Sequence, residues 1–183
     1  PGAGLYANGV IIIPMYSAMV PKGNQLLAST PDLKGTQQLM LVYSEDHGKT
    51  WLLSNGVGDL NSETQLASLT GGRILANMRR PRGHGCRQVS ITDDLGKTWS
   101  EIYDDSTLIE PGCQASLINY KFRNKSLLVF SNPADIKERK NMVVRTSNDE
   151  GKSWQKEIPV YSGSAGYSCL TQLPNGNIGL LFE

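Results

Sequence analysis

Short runs of apolar and β-branched residues, separated by turn-forming residues, recur along the whole chain. The run 10–13 follows an Asn-Gly dipeptide, and comparable runs occupy 38–43, 64–69 and 73–78. Apolar runs bounded by Gly, Asn and Asp are typical of β-strands. No segment predicts a helix convincingly, so the pattern indicates an all-β chain. The same criteria predict further strands at 51–53, 87–92, 99–103, 114–119, 126–130, 141–146, 157–158, 168–173 and 177–182.

Turn signals join several of these strands into hairpins. Gly71 and Gly72 separate two strand-like runs, as in a tight hairpin turn. The Pro-Asn-Gly sequence at 174–176 predicts a second hairpin turn near the end of the chain. The segment 22–35 is polar and rich in turn formers, so we predict a loop there.

An eight-residue motif, which we call the box, occurs three times, at 44–51, 92–99 and 147–154. Its pattern is S/T-x-D-x-G-K-S/T-W, and it contains all three tryptophans of the chain. Asp and Ser oxygens can close a tight turn, and Gly supplies a positive φ. The Trp can wedge between neighbouring sheets, with an N–H that needs a partner. We interpret the boxes as structural turns.

The spacing of the boxes predicts the architecture. Repeats about fifty residues apart indicate a blade-like or solenoid fold. Each unit reads as a four-stranded antiparallel meander with the box between its third and fourth strands, and such units arranged radially form a β-propeller. The chain holds about three and a half blades, fewer than the four to eight of most propellers. It starts at Pro1 without a methionine and stops at Glu183 within an apolar run, so we expect a piece of a longer protein.

Composition excludes several classes of function. The net charge of +1 over 183 residues argues against a nucleic-acid or anionic-membrane partner. We find no membrane span and no signal-peptide pattern. Cys86, Cys113 and Cys169 have no paired spacing, and the chain has only two histidines. We therefore expect no disulfide framework, no metal centre and no cofactor.

Five polar residues fall at corresponding points of the predicted meanders. Glu63 and Tyr167 begin first strands, Arg79 and Glu183 end second strands, and Arg139 lies before a third strand. In a meander these positions share one end of the blade, opposite the boxes. First strands are usually innermost, so Glu63 and Tyr167 should line a central mouth, where binding sites gather. Taken singly, each residue could be an ordinary surface group, and their joint placement is the signal.

The boxes and these residues together resemble the bacterial-type sialidase (neuraminidase) family, whose Asp-box the repeated motif matches. Glu63 stands in a segment similar to that of the family's catalytic glutamate. Arg79 and Arg139 resemble the second and third arginines of its carboxylate-binding triad. Tyr167 resembles the nucleophile, and Glu183 the glutamate that holds the first arginine.

The resemblance implies a six-bladed propeller and an exo-α-sialidase acting on sialylated glycans, in a secreted, cell-surface or periplasmic bacterial protein. The family's first arginine, in an Arg-Ile-Pro motif, and its acid/base aspartate have no counterpart here. Residues 1–4 resemble a glycine-rich loop that follows both. Residues 1–183 are therefore expected to form a partial catalytic domain that lacks its N-terminal blades, needs them as its partner, and is inactive alone.

The chemistry of the residues fits a retaining reaction through a sialyl-tyrosine intermediate. A guanidinium fork suits the carboxylate of sialic acid, which would repel a carboxylate nucleophile. A tyrosine hydroxyl avoids that repulsion, but its ordinary pKa of roughly 10 means that it needs a base, here Glu63.

Alternative functions share part of this pattern. A trans-sialidase or an anhydro-product enzyme would use the same residues. A non-catalytic Asp-box propeller could bind a glycan or a protein. A polyanion site built from Arg79, Arg80, Arg82 and Arg87 is the option that the small net charge favours least.

Overall fold

The computed structural model describes residues 2–17, 21–22, 25–26, 37–123, 125–155 and 157–183. Within these ranges the chain is all-β, with one short 3-10 turn at Thr70–Gly72 in the predicted hairpin turn. The strands are β1 (Leu5–Ala7), β2 (Val10–Ser17), β3 (Pro21–Lys22), β4 (Gln25–Leu26), β5 (Gln38–Ser44), β6 (Leu52–Leu53), β7 (Thr64–Ser68), β8 (Ile74–Met78), β9 (Cys86–Thr92), β10 (Tyr103–Ile109), β11 (Ser116–Phe122), β12 (Lys125–Pro133), β13 (Lys140–Ser147), β14 (Ile158–Ser164), β15 (Ser168–Gln172) and β16 (Ile178–Phe182).

The strands form the predicted meanders. The sheet orders are β1-β2-β5-β6, β10-β9-β8-β7 and β11-β12-β13-β14, with β15-β16 as a two-stranded sheet. In each four-stranded sheet the box connects the third strand to the fourth. The predicted loop 22–35 lies mostly outside the described residues, but β3 and β4 pair as a short hairpin at its start, so a loop was wrong for Lys22 and Gln25–Leu26.

The predicted fourth strands begin too early in the sequence. We predicted strands at 99–103 and 157–158, whereas β10 and β14 begin at Tyr103 and Ile158 and run on for seven residues each. After Trp99 the backbone makes a bond from Ser100 N to Ile91 O, and the Ser100 hydroxyl accepts the N–H of Ile91. The side chain thus replaces ladder pairing just after the box. Strand β1 was also missed.

The chain divides into two compact units, Pro1–Pro81 with Gln88–Tyr103, and Arg82–Arg87 with Asp104–Glu183. In the first unit, the core joins Ile12 of β2 and Leu41 of β5 to Leu66 and Met78 of the β7–β8 hairpin. In the second unit, one apolar cluster joins Tyr120, Val129 and Leu170 from β11, β12 and β15. Both cores form between sheets, as expected for strands whose faces are covered on both sides.

The three boxes make the same hydrogen bonds. In the first, Ser44 Oγ accepts from Gly48 N at 2.7 Å and donates to Asp46 Oδ1 at 2.8 Å. Asp46 Oδ1 also accepts Thr50 N at 2.9 Å, and its Oδ2 accepts the Thr50 hydroxyl at 2.6 Å. The box glycines have φ values of 87°, 79° and 83°. This confirms the structural interpretation; the other two boxes repeat the pattern with Thr92, Asp94, Gly96 and Thr98, and with Ser147, Asp149, Gly151 and Ser153.

Two of the three box tryptophans pack as predicted. Trp99 packs against the core of the first unit and donates Nε1–H to Asn55 O at 3.2 Å. Trp154 donates to Asp105 Oδ2 at 2.9 Å, and its ring lies 5.6 Å from that of Phe130. The prediction is wrong for Trp51, which is 44% exposed. Trp99 and Trp154 rest on segments that follow the preceding box, and no box precedes Trp51 within these 183 residues.

Replacement of the packed tryptophan should cost more stability than replacement of the exposed one. We expect Trp99→Ala to lower the free energy of unfolding by about 3 kcal/mol, near the lower end for a large aromatic side chain because Trp99 is only partly buried. Trp51→Ala should cost less than about 1 kcal/mol. Urea unfolding followed by circular dichroism measures both, and equal losses would contradict the assignment.

The box carboxylates should make stability depend on acid pH. Hydrogen bonds, chiefly from Thr50, Thr98 and Ser153, lower the pKa of each box aspartate (Asp46, Asp94 and Asp149) to about 2. Because the folded-state pKa lies below the ordinary value of 3.8, the stabilisation is fully present above about pH 4 and is lost as the pH falls towards 2.

We therefore expect the melting temperature to decline between pH 4 and pH 2, and Asp94→Asn to lower it at neutral pH while making that decline shallower. Thermal melts across this range measure both effects. Asp93→Asn, an equal charge change at the exposed neighbouring position of the same box, is the control. An identical result for the two variants would exclude the box carboxylate as the source.

Candidate functional site

Glu63 and Arg79 face each other at the end of the β7–β8 hairpin in the first unit. The ladder continues beyond the strands, because Ser62 N donates to Arg79 O and Arg79 N donates to Glu63 O, each at 3.1 Å. Ser62 and Glu63 thus lie opposite the single residue Arg79, as in a β-bulge, which changes the direction in which side chains point. Arg79 Nη1 donates to Glu63 Oε2. The side chains of Arg79 and Glu63 are 21% and 14% exposed, so the ion pair is mostly shielded from water.

The segment before Glu63 is fixed by buried polar contacts. Asn61 is fully buried, its backbone N donates to Gln37 O at 3.1 Å, and its Nδ2 donates to Gln88 Oε1 at 3.1 Å. The Thr64 hydroxyl donates to Ser62 O at 2.9 Å. Glu63 therefore follows a rigid segment of the chain, and its carboxylate has a defined direction.

Tyr167 and Glu183 occupy the corresponding place in the β15–β16 hairpin of the second unit. Gly166 N donates to Glu183 O at 2.5 Å and Glu183 N donates to Tyr167 O at 3.1 Å, which is the same two-against-one pattern. Each pair is also sixteen residues apart in the sequence. A Cβ at Gly166 would lie 3.1 Å from Glu183 Oε1, so glycine leaves room for the carboxylate to fold against the backbone. There it lies 3.5 Å from Tyr167 N.

Arg139 lies beside Tyr167 in the same unit. The guanidinium carbon is 5.6 Å from the centroid of the tyrosine ring, within the range of a cation–π contact. Arg139 Nη2 also lies 3.5 Å from Gly112 O, and the backbone O of Arg139 accepts Ala165 N at 2.9 Å. These contacts bring the predicted third arginine and the predicted nucleophile together, with Tyr167 still 37% exposed.

Hydrogen bonds and ion pairs within the loop that carries Arg139 connect its residues. Asp135 Oδ1 accepts the backbone N–H groups of Glu138 and Lys137, which lower the pKa of Asp135. Lys140 Nζ donates to Glu138 Oε2 at 2.6 Å and lies 3.5 Å from Asp135 Oδ2. The hydrogen bond to Glu138 and the nearby Asp135 charge raise the pKa of Lys140. These contacts connect the residues on either side of Arg139.

A cavity of about 420 Å³ adjoins Tyr167 in the second unit. Its lining includes Gln114, Cys169 and Leu181, together with Glu183. The volume lies within the range of ligand pockets. The lining is mostly apolar, with the amide of Gln114 and the carboxylate of Glu183 as polar groups beside Tyr167.

A buried ion pair in the second unit was not predicted. Arg87 Nη1 donates to Glu110 Oε2 and to Cys113 O, both at 3.0 Å, and the two side chains are 0% and 2% exposed. Arg87 cannot therefore belong to an exposed polyanion patch, and that part of the alternative was wrong. The signal in the sequence was the alternation of β9, which places Arg87 on the same face as the buried Val89.

Comparison with known proteins decides the family. Residues 2–180 match the family described as BNR repeat-like domain. The chain belongs to this BNR repeat-like domain family. Its relatives are sialidases, so the resemblance to bacterial-type sialidases is confirmed. The sialidase of Bacteroides fragilis is 40% identical over 152 residues, which cover 78% of this chain and 28% of the relative.

Two further matches cover nearly all of this chain. The anhydrosialidase of Macrobdella decora is 29% identical over 195 residues, covering 96% of this chain and 23% of the relative. The structure of a Hadza microbial sialidase superposes with a TM-score of 0.84 at 32% identity, covering 100% of this chain and 34% of that one. The structural neighbours of this chain are sialidase β-propellers, so the predicted fold class is confirmed. The chain spans about a quarter of the length of these curated relatives.

The predicted site residues fall into two groups in this sialidase-family chain. The structure places Glu63 against Arg79 in one unit, and Tyr167 against Glu183 and Arg139 in the other. The roles of the five residues and their convergence at one mouth remain predictions. Within the described ranges, no group of three His, Cys, Asp or Glu side chains is arranged to hold a metal ion. The same ranges contain no helix with the length and apolar character of a membrane span.

Proposed function

We propose that residues 1–183 are the C-terminal part of an exo-α-sialidase catalytic domain that hydrolyses terminal sialosides with retention of configuration. The observation that carries the proposal is the Arg139 guanidinium beside the Tyr167 ring, at 5.6 Å, in a member of the sialidase family. A fixed positive charge next to an accessible phenol is the arrangement that attack on an anionic sugar requires.

Arg79 and Arg139 are the proposed carboxylate clamps. Sialic acid carries its carboxylate on the anomeric carbon, and a guanidinium can bind it through two parallel N–H bonds. Arg79 already donates through Nη1 to Glu63, but a guanidinium has five N–H donors and can serve two acceptors. Arg139 lies on a loop held by its own hydrogen bonds, so little side-chain and loop ordering accompanies binding.

Tyr167 is the proposed nucleophile and Glu63 its base. Tyr167 Oη attacks the anomeric carbon while its proton passes to Glu63, and the bond from that carbon to the leaving oxygen breaks. An acid protonates the leaving oxygen. Water then attacks the same carbon and gives its proton to the conjugate base of that acid, while the bond to Tyr167 breaks and Glu63 returns the proton to Oη. The ion pair with Arg79 fixes the direction of the Glu63 carboxylate.

The remaining parts of the proposed site belong to the N-terminal portion of the domain. The acid, an aspartate by family resemblance, and the first arginine have no counterpart in residues 1–183. Glu183 is the proposed support for that arginine, because its carboxylate is already ordered against the backbone next to Tyr167. The substrates are then sialylated glycans, and turnover requires the N-terminal blades.

A second candidate reaction is supported by one relative. The Macrobdella decora relative is named an anhydrosialidase. An enzyme of that kind uses a hydroxyl of the bound sugar in place of water in the second step, with the same Tyr167 chemistry. Analysis of the product by mass spectrometry separates the two reactions, since the anhydro sugar is lighter by one water molecule.

Tyr167 should become covalently sialylated in the whole protein. A fluorinated sialoside that forms the intermediate quickly and releases it slowly should label the peptide that contains Tyr167, as found by mass spectrometry. Tyr167→Phe should abolish the label and Glu63→Gln should slow its formation. Tyr161→Phe, a change of the same kind at an exposed tyrosine, should leave labelling unchanged. A label on a carboxylate, or turnover with no adduct, would contradict the mechanism.

The two arginines should recognise the substrate carboxylate. We expect Arg79→Lys and Arg139→Lys each to raise KM about 10- to 100-fold, because an ammonium cannot replace the bidentate fork. The effect should vanish with the methyl ester of the sialoside, which has no anion. Arg73→Lys, at the opposite end of the hairpin that carries Arg79, is the control. Equal losses at all three arginines would indicate a diffuse positive field.

A further inference from the structure

Strands β11 and β15 belong to different sheets but are joined by side-chain amides. Gln114, just before β11, donates Nε2–H to Ser168 O at 3.0 Å and accepts Ser168 N at Oε1 at 2.9 Å. One side chain thus satisfies both backbone polar groups of a single residue. Such groups would otherwise lack a partner at the edge of a sheet, since Ser168 is buried.

A second amide repeats this contact at the other end of the strands. Gln172, at the end of β15, accepts Lys121 N at 3.0 Å and donates to Lys121 O at 2.7 Å. Between the two amides, Ser116 Oγ accepts Leu170 N at 3.0 Å. The edge of β15 that faces β11 is therefore held by side chains in place of a neighbouring strand.

The two amides differ in what lies beside them. Ser168 immediately follows Tyr167, whose carbonyl accepts Glu183 N from the other side. The Ser168 hydroxyl also lies 2.9 Å from Ser131 Oγ, in a buried contact. The backbone that carries the Tyr167 side chain is thus fixed from both edges, whereas the Gln172 contact lies at the far end of β15.

Gln114 is itself attached to the buried ion pair. Cys113, the residue before it, donates its N–H to Glu110 Oε2 at 3.2 Å and accepts Arg87 Nη1 at its carbonyl. Gly112 has a φ of 73°, and a Cβ there would lie 2.9 Å from the Cα of Arg82, so the turn cannot shift easily. The backbone that carries Gln114 is therefore held in place, and a residue that positions another residue needs such support.

We propose that Gln114 is a positioning residue that holds the Tyr167 hydroxyl in its attacking geometry. The inference rests on the proposed role of Tyr167 as nucleophile. Loss of the amide frees the backbone at Ser168 and lets Tyr167 move. Misplacement of a reacting group by about 1 Å can lower the rate of reaction on the order of a hundredfold. Substrate affinity should change less than the rate, because the amide of Gln114 bonds the backbone of Ser168 and not the guanidinium of either proposed carboxylate clamp.

The test compares Gln114→Ala with Gln172→Ala in the whole protein. Each change removes a glutamine amide and its two hydrogen bonds to the backbone of one residue, Ser168 for Gln114 and Lys121 for Gln172. We expect Gln114→Ala to reduce kcat and the rate of Tyr167 labelling about tenfold or more, with KM within about threefold. Gln172→Ala should leave all three values within about twofold. Gln114→Glu, which keeps the acceptor for Ser168 N but turns an oxygen towards Ser168 O, should also slow labelling.

The outcomes are distinct. Equal labelling rates for the Gln114 and Gln172 variants would overturn the inference, as would a Gln114→Ala variant with a raised KM and an unchanged kcat. If Gln114→Ala does not fold, the Gln114→Glu comparison decides. Absence of any Tyr167 adduct in the unaltered protein would overturn the proposed function, and this inference with it.

Discussion

The register of the first hairpin in a sheet is the constraint on which the candidate site depends. In both β7–β8 and β15–β16, the ladder continues one step beyond the strands and places two residues against one. That step sets Glu63 against Arg79 and Tyr167 against Glu183. A slip of one residue would turn these side chains to the opposite face of the sheet. The core fixes the register, since Leu66 and Met78 lie on the face that packs against the first sheet.

Much of this could be predicted from the sequence because the signals are local. Strand runs, the Gly-Gly turn and the boxes each act within about ten residues, and the meander follows from their order. The topology placed the five candidate residues at the end of the blade opposite the boxes, whereas the pairing of Glu63 with Arg79 and of Tyr167 with Glu183 came from the structure. The exposure of Trp51 could not be predicted in this way, because it depends on what lies beside the first sheet.

Other features depend on partners distant in the sequence, and the pattern of single residues did not indicate them. Gln114 bonds to Ser168, 54 residues away, and Arg87 bonds to Glu110, 23 residues away. Gln and Arg are ordinary surface residues in most sequences, so only the buried contact distinguishes these two. The alternation of β9 carried a weak signal for Arg87, whereas Gln114 had none beyond its place at the start of a predicted strand.

The boxes have a consequence for how such a protein can change over time. The hydrogen bonds that close the turn of each box lie within its eight residues. The tryptophans of the second and third boxes bond to Asn55 and Asp105, and these contacts do not involve Glu63 or Tyr167. In each four-stranded sheet the box joins the third and fourth strands, at the end opposite the loop between the second strand and the third. Loops at that other end, such as the one carrying Arg139, can therefore vary in length and sequence while the boxes keep the sheets folded. Stability and substrate choice are in this way open to separate selection, which eases the usual conflict between a rigid scaffold and an adaptable site.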